Sequence, residues 1–237
     1  MIVRKSDKGT ILIPQHAHAA ISGEIARHWR TDDPESPAQR PEAIMAIEQH
    51  DRAWIPLDKM PKKKPDGGFF SFIDYPIADK LRAYQQGIME VREHSRYAAI
   101  LCSRHYCSFF SADTDDQRIK AFLERENGLQ QADEQTLSPQ ERETLAFDQK
   151  LLEFCDDVSL YICMNEPGAS KKEEVSWFRD GFRQHFSFAD KVIGTWVSAN
   201  QVTLTPSPLQ SPLNVSVPMY LADGGQWTEE KYLVTVT

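Results

Sequence analysis

The sequence has little of what usually reveals a protein's function directly. No apolar run is long enough to span a membrane: the most apolar stretch, Leu151–Met164, is broken by Glu153, Asp156 and Asp157. The opening MIVRKSDKGT lacks the apolar segment of a secretory signal, so a cytoplasmic location is expected. Cysteine is scarce. Cys102, Cys107, Cys155 and Cys163 form no CxxC and no disulfide-like spacing, which excludes a zinc-finger arrangement and favours reduced thiols. Positive charge is in deficit, and a formal net charge of −8 argues against nucleic-acid polymers and anionic membranes as partners. Gly67-Gly68 is too short for a nucleotide-binding loop and follows no strand-like run. Ser22, Ser103 and Ser159 sit in helical patterns rather than on the sharp elbow of a serine hydrolase. No internal repeat is visible.

What is present is helical periodicity. Apolar residues recur at helical spacing from Pro14 to Arg30, Glu42 to Ile55, Ala78 to Arg92 and Ser95 to Phe110. They do so again from Gln117 to Asn127, which Gly128 is expected to end, and from Ser138 to about Asn165. Thr31–Pro41 has a surface-loop composition, and Pro56–Pro76, with KKKPDGGFFSF, is a long loop that could cover a site. Met1–Val3 could start a short strand. After about Ser187 the runs VIGTWV, QVTLT, LNVSVPMYL and KYLVTV favour strands, with Trp196 and Trp227 as anchors. The expected fold is mainly α: a helical bundle over residues 1–168 with a small C-terminal antiparallel sheet of three or four strands over 169–237, packed as one unit.

Five polar residues interrupt the apolar stripes of these helices. His18 aligns with Ile21, Ile25 and Trp29, while His16 falls on the opposite side. His50 shares a stripe with Ala43, Ala46 and Trp54, and Asp51 flanks it. His105 aligns with Ala98, Leu101, Cys102 and Phe109, and Asp156 with Leu152, Ser159 and Leu160. Burying such groups is costly unless a cation or an ion pair compensates. A metal answers all five at once; an arginine salt bridge would answer Asp156 alone. Cys102 is either a small filler or a soft ligand, and Asp157 groups with Glu153 on the solvent side. Three imidazoles and two carboxylates suit Fe, Mn, Zn, Co or Ni.

The order His18, His50-Asp51, Asp156 resembles the H…HD…D pattern of the HD-domain superfamily of metal-dependent phosphohydrolases. HAAISGEIA from His18 and FCDDVSL around Asp156 are similar to its first and last motifs. The whole chain is also similar to an uncharacterised bacterial domain-of-unknown-function family. That likeness rests on Gln15 with His18–Gly23, His50-Asp51 with Trp54, Ser103 with His105-Tyr106, and Asp156 with Ser159–Tyr161. The HD resemblance implies an HD-like helical bundle with His18, His50, Asp51 and Asp156 as metal ligands. It also implies Asp51 as a possible bridge and His105 as an extension of the site; Asp51 and His105 are the catalytic candidates.

Gln15, Ser22 and Ser159 are then expected to orient ligands by hydrogen bonds. Lys62, Lys63, Lys64 and Trp54 are the candidates for contact with a small anionic substrate. The expected function is a metal-dependent phosphohydrolase acting on a small phosphorylated or nucleotide-like substrate through a metal-activated water. The alternatives are a ligand-binding or regulatory protein without turnover, and a di-iron oxygenase-type redox enzyme.

Overall fold

The computed structural model describes residues 1–30, 41–223 and 226–237. The loop expected at 31–41 therefore lies outside the described residues except for Pro41, which begins a helix. The chain opens with a hairpin, β1 (Ile2–Ser6) and β2 (Gly9–Ile13), and passes directly into α1 (Gln15–Arg27). There follow α2 (Pro41–Gln49), a 3-10 turn at Arg52–Trp54, α3 (Ile55–Asp58), α4 (Ile77–Arg92) and α5 (Arg96–Cys107). Then come α6 (Gln117–Glu134), α7 (Pro139–Met164) and the strands β3 (Ile193–Ser198), β4 (Gln201–Thr205), β5 (Leu213–Asp223) and β6 (Gln226–Val236).

A helical bundle with a small C-terminal sheet is not what forms. The chain is 45% helical and 22% strand, and its strands make one six-stranded mixed sheet curled into a half-barrel. The strand order is β1-β2-β5-β6-β4-β3, so the first residues pair with the last: Ile11 lies opposite Leu221. The sheet is mixed because β4 runs parallel to β6 at Gln201–Thr235 and Val202–Val236. The hairpin escapes sequence pattern because GTILI offers one short apolar run and its partner IVRKS is half polar. Its turn is marked by Gly9, whose φ of 135° few other residues adopt. On β5 the alternation is plain near its start, with Leu213, Val215 and Val217 buried and Asn214 and Ser216 exposed.

Two helix ends also differ from expectation. α2 stops at Gln49, so His50 and Asp51 occupy a turn rather than a helix interior. There His50 Nδ1 lies 2.7 Å from the Ile47 carbonyl, an acceptor that the helix end leaves free. Pro56 then starts α3 within the stretch expected to be loop. α6 continues through Gly128, which faces open space. Ordering by buried Phe122, Glu126 and Asp133, the last held by two hydrogen bonds from Arg92, outweighs the roughly 1 kcal/mol cost of glycine. α7 has a full capping box between Ser138 and Glu141. Tyr161 stacks on Trp196 and so ties α7 to β3, whereas Trp227 is 43% exposed and touches only Phe69 and Tyr220 among aromatic rings. Among the described residues no helix is long and apolar enough to cross a membrane.

Candidate metal centre

The buried stripe of α1 carries Gln15, His18, Ser22 and Ile25 toward the interior. α2 packs closely against it, since a Cβ on Gly23 would stand 2.9 Å from Glu48 Cβ. On the other side of the same turn, a Cβ on Gly87 of α4 would stand 2.7 Å from the Ala53 backbone. These close approaches set the His50–Asp51 turn between α1 and α4. α5 and α7 complete the enclosure, with His105 and Asp156 each projecting from a buried face.

The five side chains meet. His18 Nε2 lies 2.8 Å from Asp51 Oδ2, and His50 Nε2 lies 3.3 Å from Asp156 Oδ1. His105 Nε2 lies 3.8 Å from Asp156 Oδ2, and the rings of His18 and His105 pack edge-on against His50 at 5.2 and 4.9 Å. All five are at most 5% exposed. They form two overlapping donor groups, His18/His50/Asp51 and His50/His105/Asp156, with the atoms of each within 4.8 Å of one another.

The hydrogen bonds around the cluster fix which nitrogens face it. Ser159 Oγ donates to the Asp156 carbonyl at 2.9 Å, so it accepts from His18 Nδ1 at 2.8 Å. His50 Nδ1 likewise donates to the Ile47 carbonyl. In both rings Nδ1 therefore carries hydrogen and Nε2 is turned to the carboxylates, the arrangement that orients a metal-binding imidazole. Gln15 Nε2 donates to Asp51 Oδ2 at 2.8 Å, and Ser22 Oγ lies 2.8 Å from Ser159 Oγ. His50 Nε2 and His105 Nδ1 are buried without a hydrogen-bond partner; Asp156 is close enough to attract His50 but is not aligned to accept from it. An unpaired buried nitrogen such as His50 Nε2 facing an ionised carboxylate is a poor arrangement alone and a good donor pair for a divalent ion.

Burial disfavours the charged form of each group, and the neighbours then decide the outcome. The Asp156 and Asp51 carboxylates raise His50 to about 9 against its burial. Asp156 itself is held well below the ordinary carboxylate range, because His50, His105 and His18 outweigh its burial. Asp51 is lowered against its burial by the His18 hydrogen bond and the nearby imidazoles. Burial dominates at His105, which falls to about 4.

The other expected site residues divide. Trp54 is buried and lines the pocket beside the cluster. Lys62, Lys63 and Lys64 do not line it. Lys62 pairs with Asp79 and Lys64 with Asp74, while Lys63 stands over the Phe69 ring. Cys102 is a buried filler whose thiol donates to the Ala46 carbonyl at 3.5 Å and whose pKa is raised by burial. Ser103 bonds to Glu126 in a separate network. Asp157, expected on the solvent side, is mostly buried, lines the pocket and takes a hydrogen bond from Gln184 at 2.9 Å. Sequence pattern also passed over Trp177, Phe178, Phe182 and Arg183, which form one wall. Their one visible signal is an aromatic every fourth residue, Phe178, Phe182 and Phe186, in a segment without regular structure.

Residues 1–223 match the family described as "Protein of unknown function (DUF3891)". Comparison with curated proteins and with solved structures finds no match.

Proposed function

We propose that this chain, which belongs to the DUF3891 family, is a metal-dependent phosphohydrolase of HD type. The observation that carries this reading is the pair of inward-facing Nε2 atoms on His18 and His50, each set against a carboxylate and each fixed by a hydrogen bond at Nδ1. The order of the donors along the chain, His18, His50-Asp51, Asp156, supports the HD assignment.

His18, His50, Asp51 and Asp156 would hold the ion, with His105 at the edge of the set. One nitrogen lone pair serves one ion, so the two donor groups that share His50 favour a single centre. A divalent ion held there lowers the pKa of a bound water and polarises a phosphoryl oxygen. The chain's own residues do the rest. Asp51, kept ionised and steadied by Gln15, can accept the proton that the attacking water gives up. His105 lines the pocket, stays neutral near pH 7 and turns Nε2 toward the cluster, where it can hydrogen-bond an ester oxygen. Trp54 and the aromatic wall make the side of the pocket next to the cluster largely apolar.

The test is elemental analysis of protein purified without a histidine tag, followed by a phosphoester panel with Mn²⁺ or Fe²⁺ added. The expected result is about one ion per chain, and hydrolysis that disappears together with the ion in His50→Ala, as removal of a direct ligand predicts. A metal-loaded protein that cleaves no phosphoester overturns the reaction; a protein that binds no divalent ion overturns the site.

A further inference from the structure

The pocket beside the donors is walled by rings rather than by charge. Phe72 and Trp177 meet edge to face at 6.4 Å, Trp177 and Phe178 at 6.2 Å, and Phe178 and Phe182 tilt together at 6.1 Å. Phe109 stands edge-on to His105 at 4.7 Å. These rings come from three separate stretches of chain and share one cavity of about 280 Å³, just under the roughly 300–1,000 Å³ usual for small-molecule sites. Trp177 is 54% exposed and Phe109 49%, so broad apolar surface lies open at the mouth, as at sites that receive a ligand.

The charge on the wall is nearly balanced. Among the described residues that line the pocket, Arg183 is the one cationic side chain besides the histidines, and its Nε lies 3.2 Å from Asp157 Oδ2. Asp51, Asp156 and Asp157 contribute three negative charges; one divalent ion and Arg183 would contribute three positive ones. A polyphosphate would bring more negative charge than a monophosphate ester, and no lysine is at hand for the excess, since Lys62, Lys63 and Lys64 are engaged elsewhere. A sugar phosphate would press most of its hydroxyls against Phe72, Phe109, Phe178 and Phe182, which offer no hydrogen bonds, at a desolvation cost.

We infer that the site takes a small monophosphate ester whose other half is an aromatic or compact apolar group seated among Phe109, Trp177 and Phe178. The ester half of this inference rests on the metal-hydrolase reading; the ring half rests on the pocket wall alone. The ring gains its binding free energy by leaving water and by edge-to-face contact with Trp177 and Phe109. The phosphoryl end then reaches toward His18, Asp51, His105 and Asp156, which line the same pocket.

Two probes separate the halves. Benzylphosphonate, which cannot be hydrolysed, is titrated calorimetrically into manganese-loaded protein alongside methylphosphonate and adenosine triphosphate. Benzyl alcohol is tested on metal-free protein by ligand-observed NMR. Benzylphosphonate is expected to bind at least about tenfold tighter than methylphosphonate, the gain from burying one ring. Trp177→Ala and Phe109→Ala should each reduce that margin to about threefold or less without weakening methylphosphonate. Both side chains are half exposed, and thermal melting checks that the variants stay folded. Equal affinity for the two phosphonates, or tighter binding of adenosine triphosphate, overturns the inference. If no manganese binds, the hydrolase reading falls by itself. The ring pocket then stands if benzyl alcohol binds and Trp177→Ala abolishes the signal, and falls if the unaltered protein gives none.

Discussion

At neutral pH a metal entering this centre must displace a proton from His50. With no ion present, attraction to Asp156 and Asp51 keeps His50 protonated up to about pH 9 instead of the ordinary 6.5. At about 1.4 kcal/mol per tenfold change, that difference is worth about 3 kcal/mol. The sign follows from the raised value. The stabilisation of the metal-free fold is complete below pH 6.5 and is lost as pH rises through 9. A bound cation needs the same nitrogen bare, so binding at pH 7 should release about one proton, and affinity should climb about tenfold per pH step until His50 is neutral. Calorimetric titration with Mn²⁺ in two buffers of different ionisation enthalpy counts the released protons directly. Saturable binding at pH 7 without proton release would refute His50 as a ligand, and with it the opposition of His50 and Asp156 on which the centre depends.

Three further outcomes follow from named contacts. Ser159→Ala removes the acceptor that holds His18 Nδ1; metal affinity should fall about 10- to 100-fold while the helical circular dichroism is kept. Gly87→Ala places a methyl 2.7 Å from the Ala53 backbone, which cannot move as a side chain can. A loss of about 2–3 kcal/mol is expected, read as a melting temperature lower by about 5–10 °C. Lys63→Ala and Lys64→Ala lie off the pocket wall and should leave the rate of phosphoester cleavage within about twofold of the unaltered protein, as surface substitutions usually do.

The helices were legible because each carries a long apolar stripe, and His18, His105 and Asp156 were noticeable as interruptions of it. By spacing alone His50 and Asp51 fall inside a stripe that runs on to Ile55, yet they stand just beyond the end of α2. The side-chain bond to Ile47 that marks that end leaves no periodic trace. The sheet was partly hidden for a different reason. β2 acquires its second, inner partner from Tyr220–Ala222, and a strand whose burial depends on residues so distant looks like an ordinary short apolar run. Trp177, Phe178 and Arg183 escaped because they belong to a segment without regular elements, where neither a period of two nor one of 3.6 applies. Helical geometry alone points Asp157 outward; Gln184 and Arg183, folding back over α7, cover it.

The pairing of β2 with β5 has a consequence for synthesis. All five donors have left the ribosome once α7 is complete, but β2, which leads straight into Gln15 and His18, still has a bare edge. That edge is filled by residues 220–222, so α1 gains its full seating only when those residues have emerged. A nascent chain halted before Leu213 would carry every imidazole and carboxylate of the centre and still lack a strand packed on the helix that bears His18. Metal capture at the proposed centre would then wait for the synthesis of β5.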